Sequence, residues 1–129
     1  MSSRTVDIIQ TQKAPGAIGP YNQAVIAGDT MYISGQLPLT PQGEPVFDAI
    51  DRAAEQALSN LCSILASAGG RWQFTQVRIY LRSMADYPVV NAVYEKLIPA
   101  PFPARAVVEV AGLPKDAPLE VEATAVRTG

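Results

Sequence analysis

The most informative feature of this sequence is what it lacks. It contains no histidine and a single cysteine, Cys62. Without histidine, the chain cannot supply a Ser-His-Asp triad, a histidine-activated cysteine or a histidine-ligated metal site. The single cysteine also excludes an intrachain disulfide, a Cys-x-x-Cys redox pair and a thiolate zinc site. Any proton transfer must therefore fall to carboxylates, tyrosines, lysines, backbone groups or water.

A strongly basic charge balance and long apolar runs are absent as well. The formal net charge is -2 and the isoelectric point is about 5.0, which argues against a general binder of nucleic-acid phosphates. The apolar runs are too short to cross a bilayer, and residues 1–4 lead into no apolar region of a signal peptide. We therefore expect a cytoplasmic protein with no membrane partner.

The hydrophobic pattern predicts one globular domain over residues 1–129, with two helices and six strands. Apolar residues at three- and four-residue spacing indicate a helix over residues 48–68, followed by two glycines. A second helix is predicted to begin near Asp86, whose carboxylate can cap it, and to end by Ile98, before a proline. The predicted strands are residues 6–9, 23–26, 30–34, 76–82, 105–111 and 119–127, the second and third forming a hairpin.

Alternation along the last two strands predicts a sheet with one apolar face and one mixed face. Two helices can cover only one face of such a sheet, so the other meets water or another copy of the chain. Placing Tyr80, Val107 and Val126 on the mixed face favours a homo-oligomer over a solvated face. The predicted fold class is α+β, with two helices on one face of a mostly antiparallel sheet.

Arg105 is the first candidate for a ligand-binding residue. It follows Phe102-Pro103-Ala104, a rigid approach that places the arginine at the start of a predicted strand. A guanidinium presents a fixed fork of donors that suits a carboxylate. The alternative is an ordinary ion pair with Glu109 or Glu122.

Glu120 and Glu122 are the candidates for proton transfer. Both fall on the predicted mixed face, where partial desolvation would raise a carboxyl pKa. The pattern does not choose between them, and either can instead neutralise an arginine. The connection over residues 112–118 is too long to fix the pairing of the two strands, so contact between Arg105 and Glu120 is not predicted from spacing.

Four further residues have features of a ligand pocket. Tyr21 follows a stiff Gly-Pro turn and could line a pocket or pack beneath the N-terminal segment. Ser34 and Gly35 end a strand, where the glycine marks either close approach to its backbone or a bulge. Asn91 is a poor helix former inside a helix, which predicts a hydrogen bond to a ligand or another loop. Cys62 is predicted to be a small buried hydrophobe without a catalytic role.

These residues stand in motifs that closely resemble the RidA (YjgF-type) family of imine deaminases. The resemblance covers almost the whole chain in order, and its most specific part is the Phe-Pro-Ala-Arg block with its downstream Leu-Pro-Lys-Asp. The matching segments are Ile18-Gly19-Pro20-Tyr21, Ile33-Ser34-Gly35-Gln36, Val90 to Glu95, Phe102 to Ala111, Leu113 to Asp116, and Glu120 to Ala123.

The resemblance implies a chorismate-mutase-like fold, a homotrimer with clefts between subunits, and no metal or other cofactor. It implies hydrolysis of enamine and imine intermediates, such as 2-aminoacrylate, 2-iminopropanoate and 2-iminobutanoate, to 2-keto acids and ammonia. By resemblance, Arg105 binds the substrate carboxylate and Glu120 positions and activates water. The remaining cleft residues implied by it are Tyr21, Ser34, Gly35, Asn91 and Val107. It also places the Arg105 strand at a sheet edge.

Val107 departs from the family pattern, because many members have cysteine at this position. The resemblance implies that this residue serves the ligand mainly through its backbone, so we expect hydrolysis to survive. Thiol-dependent redox or chaperone behaviour centred there is not expected. One alternative is an RNA-directed translation inhibitor or ribonuclease, in which arginines 78, 82 and 105 would cluster in the trimer. The others are a non-catalytic ligand-binding or chaperone-like trimer and a catabolic deaminase acting on an aminomuconate-like or aminoacrylate substrate.

Overall fold

The computed structural model describes residues 6–129, so residues 1–4, over which no signal peptide is predicted, lie outside it. The helices are α1 (Ile50–Ser67) and α2 (Tyr87–Leu97). The strands are β1 (Asp7–Ile9), β2 (Ala24–Ala27), β3 (Thr30–Gln36), β4 (Trp72–Leu81), β5 (Ala104–Glu109) and β6 (Leu119–Arg127).

All six strands form one sheet in the order β1-β2-β3-β6-β4-β5. Neighbouring strands are antiparallel except β4 and β5, which are parallel, so the sheet is mixed and mostly antiparallel as predicted. β5 is an edge strand, because β4 lies between it and β6. The strand of Arg105 is therefore not hairpinned to its successor in the sequence.

Both helices and all six strands appear close to their predicted positions, and β6 has its predicted bounds. β4 begins earlier than predicted, because a bulge between Phe74 and Gln76 lets pairing with β6 continue beyond the alternating segment. The predicted side-chain cap by Asp86 is wrong. Asp86 ends a short 3-10 turn and makes no capping hydrogen bond, whereas Ser83 Oγ accepts one from the Ala85 N–H at 3.3 Å.

The hydrophobic core lies between the helices and one face of the sheet. Leu58, Leu61 and Ile64 of α1 are fully buried against side chains such as Val77 and Val121 from the sheet. Complete burial of each such side chain contributes roughly 1.5 to 3 kcal/mol. Cys62 is partly buried beside this core, as expected for a small apolar residue, and burial raises the pKa of its thiol.

Neither helix of residues 6–129 covers the other face of the sheet. Tyr32 and Val108 are 53% and 43% exposed there, beside the polar side chains of β4 and β6. The predicted place of Val107 on this open face is wrong. Val107 pairs with the buried Ile79 and packs against the core, whereas its neighbour Val108 pairs with Tyr80 and faces outward. The error arises because valines occupy two successive positions, so alternation alone does not identify the buried one.

No helix within residues 6–129 combines the length and apolar character needed to span a membrane.

Candidate functional site

Arg105 lies on the helix-covered side of the sheet, where α2 orients its guanidinium. Nη1 donates a hydrogen bond to Asn91 Oδ1 and Nη2 donates one to the Tyr87 hydroxyl, each at 2.8 Å. The predicted tertiary hydrogen bond of Asn91 is therefore present, and its partner is Arg105. The two contacts involve different nitrogens, so together they restrict rotation of the guanidinium plane.

Two aromatic rings of α2 also face the guanidinium. Its central carbon lies 4.8 Å from the ring centre of Tyr94 and 5.6 Å from that of Tyr87. Contacts of this kind contribute about 0.5 to 2 kcal/mol. Neither tyrosine is among the residues predicted from the sequence. Asn91 lies four residues after Tyr87 and three before Tyr94, so all three side chains share one helix face. This spacing could have predicted from the sequence that both tyrosines lie beside Asn91.

Among residues 6–129, Arg105 has no carboxylate within 4.0 Å, and the two candidate ion-pair partners are engaged elsewhere. Glu109 Oε1 accepts a hydrogen bond from the Met84 N–H at 2.7 Å, and Glu122 lies 3.2 Å from Arg78. The Arg105 charge is thus held by neutral groups. It borders a groove of about 300 Å³, the Arg105 surface, lined by Asn91, Tyr94, Glu95, Phe102, Pro103 and Arg105.

Glu120 belongs to a second concave surface, the Glu120 surface, of about 360 Å³. Its lining residues are Ile18, Tyr21, Ser34, Gly35, Leu37, Pro114 and Glu120. The carboxylate lies directly over Gly35, because a Cβ built on this glycine would come within 2.6 Å of Glu120 Oε2. Gly35 also sits in the β3 bulge between Ile33 and Gln36, so the predicted bulge is present, and the group that closely approaches this glycine is the Glu120 side chain.

The other predicted residues of the Glu120 surface are held by backbone contacts. Tyr21 is 45% exposed, and its hydroxyl accepts a hydrogen bond from the Ile18 N–H at 3.3 Å. Ser34 Oγ donates to the Asn22 carbonyl at 2.6 Å. The segment before Tyr21 is anchored by the buried Gln23, whose side-chain amide bonds to the backbone of residues 11, 14 and 15.

The structure separates the two glutamates that the sequence pattern leaves as alternatives. Burial, and next the charge of Glu122, raises the pKa of Glu120. Burial alone would raise the pKa of Glu122 too, but hydrogen bonds from Tyr80 and Arg78, together with the Arg78 charge, lower it. Glu122 is therefore the ionised partner of an arginine, and Glu120 has the perturbed carboxyl expected of a proton-transfer group.

Arg105 and Glu120 lie on opposite faces of the sheet. Arg105 pairs with the buried Val77 on the covered face, whereas Glu120 pairs with Tyr80 on the open face. The Arg105 surface and the Glu120 surface have no lining residue in common. A single chain thus brings Asn91 to Arg105, and Tyr21, Ser34 and Gly35 to Glu120, without joining the two groups.

Val107 lines neither groove, but its backbone faces the free edge of the sheet. The Val110 N–H donates to the Leu81 carbonyl, and backbone groups alternate in direction along a strand. The N–H of Val107, three residues earlier, therefore points away from β4. This orientation agrees with a role that uses the backbone and not the side chain.

Three arginines that could have formed a basic cluster are not brought together in the chain. Arg78 lies 3.2 Å from Glu122, and Arg82 lies 2.6 Å from Asp116. Arg105 is on the opposite face from Arg78. Within the described part of the chain, no group of three or more acidic, cysteine or histidine side chains is placed to hold a metal ion.

Comparison with known proteins gives consistent matches along the chain. The family model described as Endoribonuclease L-PSP matches residues 11–127. A human protein named 2-iminobutanoate/2-iminopropanoate deaminase is 44% identical over 131 residues, covering 98% of this chain and 94% of the human one. Reactive Intermediate Deaminase A, a chloroplastic protein of Arabidopsis thaliana, is 39% identical, covering 96% of this chain and 67% of its own length.

The fold has close counterparts among solved structures. The structure of Escherichia coli TdcF with bound serine superposes with a TM-score of 0.88 at 39% identity, covering 95% of this chain and 99% of TdcF. Yeast Mmf1 superposes with a TM-score of 0.91 at 37% identity, covering 96% of this chain and all of Mmf1. By the family match and by the shared sheet and helices, the chain belongs to the endoribonuclease L-PSP family, which includes the YjgF and RidA proteins.

Proposed function

We propose that this protein hydrolyses reactive 2-imino and 2-enamino acids, such as 2-aminoacrylate, 2-iminopropanoate and 2-iminobutanoate, to 2-keto acids and ammonia. The observation that carries the proposal is an oriented arginine that lacks a carboxylate partner in the described chain, and the glutamate of raised pKa on the other sheet face supports it. The names of the human and plant relatives support the same reaction.

Arg105 is proposed to bind the substrate carboxylate. Asn91 and Tyr87 each accept one of its hydrogen bonds, which leaves its other N–H donors for an anion. A bidentate grip on the carboxylate would fix the imine carbon relative to the attacking water. Holding the reactants in this way lowers the entropic part of the barrier without a metal or other cofactor.

Glu120 is proposed to activate the water. As an ionised carboxylate it takes a proton while the water oxygen bonds to the imine carbon, which forms a carbinolamine. The protonated glutamate returns this proton to nitrogen, which completes the carbinolamine. As the carbon–nitrogen bond breaks, the hydroxyl oxygen becomes the keto oxygen and Glu120 carries its proton to the departing nitrogen, which gives the 2-keto acid and ammonia. Its raised pKa suits both steps, because a carboxyl with a pKa closer to neutral is a better acid and base at neutral pH.

We propose that the two half-sites meet between subunits of a homotrimer. The Arg105 surface and the Glu120 surface lie on opposite faces of the sheet, so the groups of one chain do not converge. Val108 and Tyr32 on the open face, together with the exposed Phe102 beside Arg105, supply apolar area for contact between copies. A molar mass of three chains in light scattering is expected, and a monomer at micromolar concentration would contradict the proposal.

The test uses a threonine dehydratase to generate 2-iminobutanoate and follows its decay. Truncating one member of a desolvated charge pair costs about 2 to 5 kcal/mol, so Arg105→Ala should lower kcat/KM by at least roughly thirtyfold. Arg52→Ala is the matched control, because Arg52 is exposed on α1 and its ion-pair partner is Asp48, one helical turn earlier. The proposal fails if the imine decays no faster with the wild-type protein than in buffer alone. It also fails if Arg105→Ala has the same kcat/KM as Arg52→Ala.

The arrangement of charges within one chain gives the RNA-directed alternative no support. The family description contains the word endoribonuclease, but two of the three arginines considered are paired with acids and the third faces away from them. RNA cleavage that persists in Arg105→Ala and follows the protein through purification would favour the alternative.

A further inference from the structure

Tyr87 supplies the second of the two hydrogen bonds that hold the Arg105 guanidinium. Its hydroxyl lies 2.8 Å from Arg105 Nη2, and its ring centre lies 5.6 Å from the guanidinium carbon. We propose that Tyr87 is a positioning residue that sets the affinity for the substrate carboxylate by fixing the direction of the Arg105 donors. This inference rests on the proposed role of the Arg105 surface.

Apart from Tyr87, the described chain gives the Arg105 guanidinium one side-chain hydrogen bond, which holds a single nitrogen. Its side chain rises from the edge strand β5, and no acidic group in residues 6–129 pairs with it. The Asn91 contact holds Nη1 and the Tyr94 ring centre lies 4.8 Å from the guanidinium carbon, but neither contact fixes the direction of the Nη2 donors. The second contact, at Nη2, fixes the direction of these donors. The guanidinium is therefore already ordered before the ligand binds, and binding costs less conformational entropy.

The chemistry of a phenol suits this position better than that of an acid. A guanidinium has donors only, so the Tyr87 oxygen must be the acceptor and its own proton points elsewhere. A carboxylate at the same place would orient Arg105 equally well, but its negative charge would compete with the substrate. The neutral hydroxyl orients the donors and leaves the positive charge uncompensated for an anionic ligand.

The position of Tyr87 makes the contact geometrically stable. It is the first residue of α2, and Asn91 follows one helical turn later on the same face. Pro88 in the first turn has a fixed backbone dihedral angle, which stiffens the start of the helix. Both groups that hold Arg105 are therefore presented by one rigid element.

The test is Tyr87→Phe, which keeps the ring and removes only the oxygen. The loss of one hydrogen bond predicts a rise of roughly threefold to tenfold in KM for 2-iminobutanoate, with kcat within about twofold of wild type. The dissociation constant of the product 2-oxobutanoate, measured by calorimetric titration, should rise by the same factor. Ser67→Ala is the matched control, because it also removes one hydroxyl hydrogen bond, to the Ile64 carbonyl at 2.7 Å, and Ser67 lines neither the Arg105 surface nor the Glu120 surface.

The outcomes distinguish this inference from the proposed function. If the wild-type protein hydrolyses the imine but Tyr87→Phe keeps the KM and the product affinity of Ser67→Ala, Tyr87 has no positioning role and the proposed function stands. A fall in kcat with unchanged KM, or a lower melting temperature with unchanged affinity, also overturns the inference. If the wild-type protein is inactive, the proposed function fails, and the titration with 2-oxobutanoate still decides the role of Tyr87.

Discussion

The contact between Gly35 and Glu120 gives a prediction in which activity and stability respond differently. A Cβ at Gly35 would lie 2.6 Å from Glu120 Oε2, 2.8 Å from Cδ and 3.2 Å from Cγ. Real Cβ atoms essentially never approach other atoms as closely as the first two distances, so Gly35→Ala must displace the carboxylate. The substitution therefore moves the proposed catalytic group without changing its chemistry.

The size of the effect follows from these distances. Restoring an ordinary contact of 3.4 Å moves Oε2 by about 0.8 Å. Misplacement of a reacting group by about 1 Å costs about a hundredfold in rate, so kcat should fall by roughly that factor. Stability should change little, because a carboxylate at the end of a side chain can move, and Gly→Ala contributes about 0.4 to 1 kcal/mol through the unfolded state.

The assay measures dehydratase-coupled imine decay and the free energy of unfolding in urea on the same samples. Gly112→Ala is the matched control, because Gly112 does not have a positive φ and a methyl group there would have no other atom within 4 Å. A Gly35→Ala variant with the kcat of Gly112→Ala would refute the assignment of Glu120. A loss of several kcal/mol in stability would instead show that the bulge backbone cannot accept a side chain.

Two further predictions concern buried polar groups. Burial raises the pKa of Glu120 above its ordinary value of 4.5, so its stabilising contribution is present below that pH and is lost as pH rises through the folded-state pKa. The free energy of unfolding should therefore fall less between about pH 4 and pH 8 in Glu120→Gln than in the wild-type protein, and the variant should be inactive. If the free energy of unfolding depends on pH equally in both proteins, the raised pKa is contradicted. Asn60 Nδ2 donates to the carbonyls of Leu37 and Leu39 at 3.2 and 2.9 Å. Asn60→Ala should lower the free energy of unfolding in urea by about 1 to 3 kcal/mol, because both carbonyls lose a buried partner, and a smaller loss would show that water replaces the amide.

Local pattern was sufficient to predict the elements of this fold. The period of apolar residues identified α1, the glycines after it marked its end, and strict alternation located β6 with its bounds. These features depend on neighbours within a few residues, so they can be predicted without knowledge of tertiary contacts. Motifs in the same local segments also indicated Arg105, Glu120 and Asn91 as residues of interest.

Polar anchors were harder to predict, because their partners are distant in sequence. Asn60 bonds to carbonyls more than twenty residues away, and Gln23 bonds to the segment before Tyr21. The helix face formed by Tyr87, Asn91 and Tyr94 was visible in the spacing, but only the structure shows that it surrounds Arg105. A tyrosine at helical spacing is as compatible with core packing as with a binding site.

The order of residues alone was enough to establish the type of fold, the elements that build it and the absence of histidine or cysteine-pair chemistry. Only the tertiary structure shows which sheet face each side chain occupies. Side chains alternate along a strand, so a register shift of one residue moves each of them to the other face. That register packs the partly buried Val107 against the core, exposes Val108 and separates Arg105 from Glu120. It also gives Glu122, and not Glu120, the arginine partner, since the charge of a neighbour across the sheet depends on pairing that no local pattern encodes.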